Sequence, residues 1–159
     1  MQPSDLHPSD THSFDSHITA AILIIGNEIL SGQTQDTNLN YLARKLADKG
    51  IDLIEARIVR DDETAIIDSL RDLQNKHHHI FTTGGIGPTH DDITTACIAK
   101  ALNLPLEMNP QAKTMLADFY GAKQLSEARL KMALMPQGAK LITNSISGAP
   151  GYSLSLIHI

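Results

Sequence analysis

An α/β fold, in three α/β/α layers around a mainly parallel sheet, is predicted by three features of this sequence. Apolar runs bounded by glycine recur along the chain, and stretches of helical spacing separate them. That alternation builds strand–helix–strand units and places helices on both faces of a parallel sheet. Third, the strand candidate His79–Thr83 runs directly into Gly84-Gly85-Ile86-Gly87 and then a helix. In such folds ligands bind beyond the carboxyl ends of the strands, where strand order reverses.

Each element has its own signal. Thr19 to Gly26 is almost continuously apolar and ends on glycine, as a buried strand does. Leu39, Leu42, Ala43, Leu46 and Ala47 follow helical spacing, with Gly50 as the stop signal and Thr37 as the expected cap. Ile51 to Val59 reads as the second strand. Ile66, Ile67, Leu70 and Leu73 mark the second helix, capped by Asp61 or Asp62. After the third strand, Ile93 to Leu102 reads as a helix with Asp91 as its expected cap and Cys97 in its buried face beside Ile93 and Ala96. Asn109-Pro110 opens a helix with Leu116, Phe119 and Tyr120 on its apolar face. A short helix is expected over Ser126–Leu134, ended by Pro136, and a further strand over Lys140–Thr143.

Residues 1–17 are polar, with Pro3, Pro8 and scattered Ser, Asp and His, and are expected to be a disordered lead-in to a domain spanning 18–159. At 159 residues the chain is one domain in size, and 42% hydrophobic content suits a soluble globular protein. A formal net charge of -5 argues against nucleic acid or anionic membrane as partner. The longest apolar run, Ile18 to Ile25, is too short to span a bilayer, and a single cysteine suits a reducing compartment. A cytoplasmic location is expected.

The chemistry concentrates at three strand ends. Gly84, Gly85 and Gly87 let backbone approach a ligand closely, and the helix that follows favours an anion. No Gly-Lys-Ser/Thr follows, and no third glycine falls three residues after Gly87, so this is neither a Walker loop nor the dinucleotide fingerprint. Adjacent Asp91 and Asp92 would repel a bare anion but suit a phosphorylated ligand that arrives with Mg²⁺ or another divalent cation. Asp92 is the expected functional carboxylate. Asp61 and Asp62 stand at the end of the second strand and are expected to share the metal with Asp92. Glu28, in Gly26-Asn27-Glu28, could orient ligand or water. Asn38 is open between ligand binding and starting a helix, and Ser147-Gly148-Ala149-Pro150-Gly151 is equally a pocket wall or a plain turn. The candidate ligand-binding residues are therefore Gly26, Asn27, Asn38, Thr83, Gly84, Gly85, Gly87, Pro88, Thr89, His90 and Gly148. Asp92, Asp61, Asp62 and Glu28 are the candidate catalytic groups. Lys131, Lys140 and Arg129 read as surface charges, and His77-His78-His79 as a solvated helix end, because consecutive strand side chains point to opposite faces.

Together, Ile25-Gly26-Asn27-Glu28-Ile29-Leu30-Ser31-Gly32, Asp36-Thr37-Asn38, Val59-Arg60-Asp61-Asp62, Thr82 to Asp92 and Met135-Pro136-Gln137-Gly138-Ala139 resemble the MoCF family. This is the molybdopterin-binding (MoaB/MogA-like) domain, and the chain is most similar to its CinA amino-terminal branch. The same domain heads some eukaryotic FAD synthases. The resemblance covers roughly residues 18–152 and implies a Rossmann-like α/β/α fold. It implies a molybdopterin or adenine-nucleotide ligand with Mg²⁺, and self-association into a homo-oligomer. In cofactor-making members the motif aspartates support adenylyl transfer to molybdopterin; in the CinA branch the domain is linked to cleaving the pyrophosphate of ADP-ribose or similar dinucleotides. An enzyme of this kind would be a molybdopterin adenylyltransferase or a nucleotide pyrophosphatase; a non-catalytic fragment or regulatory module is the third reading. The family continues after Ala149-Pro150-Gly151 through another strand into a Leu-Pro-Gly-Val-Pro loop. Here Tyr152 to Ile159 follows instead, so the expectation is a domain incomplete at its carboxy end, with a non-native tail from about Ser153.

Overall fold

A computed structural model describes residues 17–144, 146 and 148–155. Strand β1 (Thr19–Ile25) lies between β2 (Asp52–Val59) and β3 (His79–Thr83), all parallel, in the order β2-β1-β3. No residue from Ala20 to Ile25 is more than 2% exposed, so both faces of β1 are covered, as its uninterrupted apolar run requires. β2 alternates instead, half-burying Leu53, Glu55, Arg57 and Val59 and exposing Ile54 and Ile58. That is the pattern of a strand covered mainly on one face.

The one-turn helix α1 (Asn27–Leu30) follows β1, and α2 (Asn38–Ala47) lies against β2. Helices α3 (Glu63–Gln74) and α4 (Thr94–Ala101) close the main core: Ile66, Ile67, Leu70, Leu73, Cys97, Ile98 and Ala101 pack on Ala21, Leu23 and Ile25. The expected three-layer fold with a parallel sheet is the fold observed. Cys97 is buried as expected, which pushes its thiol up to about 11, but Ala96 beside it faces outward.

A second core gathers Ala112, Leu116, Met132, Ala133 and Met135. It joins α5 (Pro110–Tyr120) to α6 (Glu127–Lys131) and to two small antiparallel ribbons. Strand β4 (Leu106–Met108) pairs with β5 (Leu134–Pro136), and β6 (Lys140–Ile142) with β7 (Gly151–Ser153). Here the structure departs from expectation. The helix expected over Ser126–Leu134 stops at Lys131, because Leu134 to Pro136 find a ladder partner in residues distant in sequence. Tyr152 packs against both cores and ties them together; burial pushes its hydroxyl up to about 12, and that hydroxyl has no hydrogen-bond partner among the described residues.

The helix starts follow local chemistry. Asp62 caps α3 by accepting from the Ala65 N–H (2.9 Å), and Asn109 caps α5 through the Ala112 N–H (2.9 Å). Thr37 sits at the start of α2 but makes no side-chain cap bond; Asp36 accepts the Leu39 N–H (2.8 Å) in its place. The three consecutive histidines diverge. His77 is not solvated as expected: it is 6% exposed, with Nε2 3.5 Å from the Glu55 carboxylate, while His78 Nδ1 accepts the Thr19 N–H. The expected lead-in, 1–17, falls outside the described residues except His17, whose ring stands 3.4 Å from Asp52. Leu156 to Ile159, within the expected tail, also fall outside them. Among the described residues no helix is long and apolar enough to cross a membrane.

Arg57 bridges β2 to α3 through Asp72 (2.5 Å) and also pairs with Glu55 on its own strand (2.6 Å). The Arg57 bond lowers the Glu55 carboxyl against a smaller opposing effect of burial, and Lys76 then Arg57 lower Asp72. Both carboxyls are therefore held below their ordinary values in the folded state. Their stabilisation is complete above the ordinary carboxylate range and is lost as pH falls through the lowered values. The urea midpoint should stay level from pH 7 to pH 5 and fall below about pH 4, with a shallower fall in Arg57→Met. Leu23→Ala should cost about 2–5 kcal/mol in the same assay. Tyr41→Ala, at a residue 58% exposed, should cost about 0.5 kcal/mol or less.

Candidate functional site

Because β1, β2 and β3 are parallel, their carboxyl ends lie along one edge of the sheet. The chain crosses from β2 on one side of β1 to β3 on the other, so the reversal of strand order falls at that edge. Three loops meet there: Gly26-Asn27-Glu28, Arg60-Asp61-Asp62 and Gly84 to Asp92.

The glycine loop is folded against β1 backbone. Gly84 has φ +94, and a Cβ there would stand 1.9 Å from the Ile25 carbonyl oxygen. Gly85 has φ +62, and its Cβ would meet the Thr94 hydroxyl at 2.2 Å. Both positions demand glycine twice over, by conformation and by space. Thr94, fully buried at the first turn of α4, holds the bend: its hydroxyl donates to the Gly84 carbonyl (2.9 Å) and its N–H to the Gly85 carbonyl (3.1 Å). Thr94 is not among the residues the sequence patterns single out. A hydroxyl residue at a helix start after a glycine run was the available signal.

Asp61 joins the loops. Its Oδ2 accepts the Asn27 N–H (2.9 Å), and its Oδ1 lies 3.5 Å from where a Gly85 Cβ would project. One carboxylate from the β2 end thus touches the β1 loop and faces the β3 loop. Asp62 points the other way, as the cap of α3. The Glu28 carboxylate folds back over Gly26, 2.6 Å from that residue's virtual Cβ. Asn38 is exposed at the start of α2.

Asp91 does not cap α4 as expected. The helix begins at Thr94 with Ile93 before it and no side-chain cap bond. Asp92 instead turns into the loop, where its Oδ2 accepts from the Thr89 N–H (2.8 Å) and the Thr89 hydroxyl (2.5 Å). The same oxygen lies 2.7 Å from the virtual Cβ of Gly87. Burial pushes the Asp92 carboxyl up, but bonds from Thr89 and the Gly87 backbone, with Lys131 nearby, hold it below its ordinary value. Asp91 is exposed and lowered by its own backbone N–H, by Thr89 and by the neighbouring His90, whose ring is 3.4 Å away. Lys131, expected to be a surface charge, donates to the Thr89 carbonyl at 2.9 Å. Arg129 is not a plain surface charge either: its guanidinium lies over the Tyr120 ring at 4.3 Å and donates to the Gln124 carbonyl. Gly148 packs on the Phe119 ring, with a virtual Cβ 2.5 Å from it.

The edge therefore brings together Gly26, Asn27, Asp61, Gly84 and Gly85, with Gly87, Thr89 and Asp92 forming the outer part of the loop. It does not gather the three aspartates expected to share a cation. Among the described residues no three His, Cys, Asp or Glu side chains are grouped so as to hold a metal ion. The Thr83 hydroxyl, one residue before the loop, is buried without a partner among the described residues. A cavity of about 830 Å³ lies not at this edge but alongside β3, lined by Phe81, Ile98, Ile142 and Tyr152, and meets the loop at Ile86.

Residues 21–159 match the family MoCF_biosynth, described as "Probable molybdopterin binding domain". A protein of Caldivirga maquilingensis is 42% identical over 134 residues, covering 83% of this chain and 52% of its own length. A protein of Sulfurisphaera tokodaii is 42% identical over 135 residues, with 83% and 51% covered. The chain thus spans about half the length of these relatives. Among solved structures, the CinA protein of Thermoplasma acidophilum, described as of unknown function, superposes with a TM-score of 0.81 at 32% identity. That superposition covers 86% of this chain and 80% of the other. The MoaB protein of Pyrococcus furiosus, a tungsten cofactor synthesizing protein, shares the fold with a TM-score of 0.54 at 17% identity, covering 82% and 76%.

Gly84→Ala should destabilise the protein by about 3 kcal/mol or more, since strain and a backbone clash add. Gly32→Ala, at φ +76 with nothing within 4 Å of its virtual Cβ, should cost only about 1–2 kcal/mol in the same denaturation assay.

Proposed function

The chain belongs to the MoCF family of molybdopterin-binding domains, and from that premise we propose that it binds a phosphorylated small molecule, a molybdopterin or an adenine nucleotide, across the carboxyl ends of β1 and β3. The observation that carries this reading is the position of Asp61. It ties the Asn27 backbone to one loop and presents its second oxygen toward Gly85, at the reversal of strand order. Gly84 and Gly85 fold the loop closely over the end of β1, and the buried hydroxyl of Thr83 is a donor at the same strand end.

The acidic groups suit a cation that comes with the ligand rather than one held in a preformed cage. Mg²⁺ is commonly bound through one or two carboxylates plus substrate phosphates. Asp61 would hold such a cation, and the cation would neutralise charge on the phosphates. Asp92 shapes the loop that receives them. Asp62 serves α3.

A dinucleotide pyrophosphatase is the second reading, favoured by the exposed Glu28 carboxylate standing over Gly26 at the same edge. Glu28 would take a proton from water as the water oxygen attacks one phosphorus of ADP-ribose. Cleavage of the P–O–P bridge then yields AMP and ribose 5-phosphate.

Asp61→Asn keeps an oxygen that can accept the Asn27 N–H while removing the charge and turning the other oxygen into an NH2 donor. Affinity for ADP-ribose with Mg²⁺, read by calorimetry, should fall by about tenfold or more while the melting temperature holds. Equal affinity in the variant would refute the assignment. Chromatography of the same mixtures separates the two readings, because AMP appears only if the site turns over.

A further inference from the structure

Lys131 stands outside the three strand-end loops and yet reaches into one of them. It lies at the last residue of α6, and the next residues, Met132 and Ala133, are 7% and 0% exposed in the second core. The backbone that carries the lysine is thus anchored by packing in the second core. Its ammonium donates to the Thr89 carbonyl at 2.9 Å across 42 positions of sequence. On the other side of the same residue, the Thr89 N–H and hydroxyl both donate to Asp92. Thr89 is therefore gripped by an anion at its N–H and by a cation at its carbonyl. The charged groups around it are Asp91, Asp92, His90 and Lys131. Two adjacent carboxylates would repel an incoming phosphate, and Lys131 is the ammonium bonded to the loop that carries them.

We propose that Lys131 is a positioning residue of the ligand loop. Through the Thr89 carbonyl it holds the 89–90 peptide in one orientation, and its charge offsets Asp91 and Asp92 so that the loop accepts an anionic ligand. The second core thereby sets the shape and charge of a site built on the first. This assignment rests on the phosphate-binding reading above.

The test compares wild type with Lys131→Met, which keeps an apolar stem, and Lys131→Arg, which keeps the charge and the donor. Without ligand, the His90 amide signal, on the nitrogen of the held peptide, should move in Lys131→Met. The Thr89 and Asp92 amides should exchange about tenfold faster there, and Lys131→Arg should restore both. The melting temperature should stay level across the three proteins. Affinity for ADP-ribose with Mg²⁺ should fall about tenfold in Lys131→Met and recover in Lys131→Arg. Loop amides of Lys131→Met that overlay on wild type would overturn the positioning role. Altered amides with undiminished affinity would overturn the charge-offset role. If wild type binds no nucleotide, the phosphate-binding reading and the ligand half of the proposal fall together, while the amide signals still decide whether Lys131 holds the loop.

Discussion

The approach of Gly84 to the Ile25 carbonyl is the constraint on which the functional edge depends. With 1.9 Å between that oxygen and any Cβ, the β3 loop can cross the end of β1 only as glycine. The crossing brings Gly85 within reach of Asp61 and leaves the Gly84 and Gly85 carbonyls for Thr94 to hold. A larger residue would lift the loop off β1 and separate the groups that converge there.

This contact is backbone against backbone, so its tolerance is small. It survives because β1 cannot move. Four aliphatic side chains, Ile22 to Ile25, are buried to within 2% of completely, and each contributes about 1.5–3 kcal/mol by leaving water. The rigidity of the core strand is passed to the loop through one carbonyl. The second core contributes differently, through the long side chain of Lys131, which bonds to the outer part of the loop at the Thr89 carbonyl. Inner and outer halves of the loop thus answer to different parts of the molecule.

The electrostatics of the edge are economical. Asp92 spends its Oδ2 on Thr89, Asp62 is a helix cap, and Asp61 alone spans two loops. Adjacent acids in sequence therefore have separate duties, one stabilising a local turn and one reaching across the sheet. A backbone N–H satisfied by a carboxylate is an ordinary structural device. An aspartate that satisfies one loop while facing another glycine loop is a less local arrangement, and it joins the ends of β1, β2 and β3.

The parallel sheet, its helices and the glycine loop were legible in the sequence because their signals are local. Apolar runs, helical spacing and glycines at strand ends are set by residues near one another, and β1, α3 and β3 followed from them. The caps Asp62 and Asn109 were legible for the same reason. The ribbon partners of Leu134–Pro136 and Gly151–Ser153 were not, since a ladder satisfies backbone groups whose partners lie far along the chain. Nor could sequence distinguish Asp61 from Asp62, or take Lys131 from the surface into the loop. Those outcomes depend on which side chains meet after the strands are stacked, and short-range patterns carry no record of that meeting. The sequence by itself determined the layers and the edge where the glycine loop and the acidic pairs stand; the tertiary structure alone decided which charges meet there, because Coulomb and hydrogen-bond partners are chosen by distance in space.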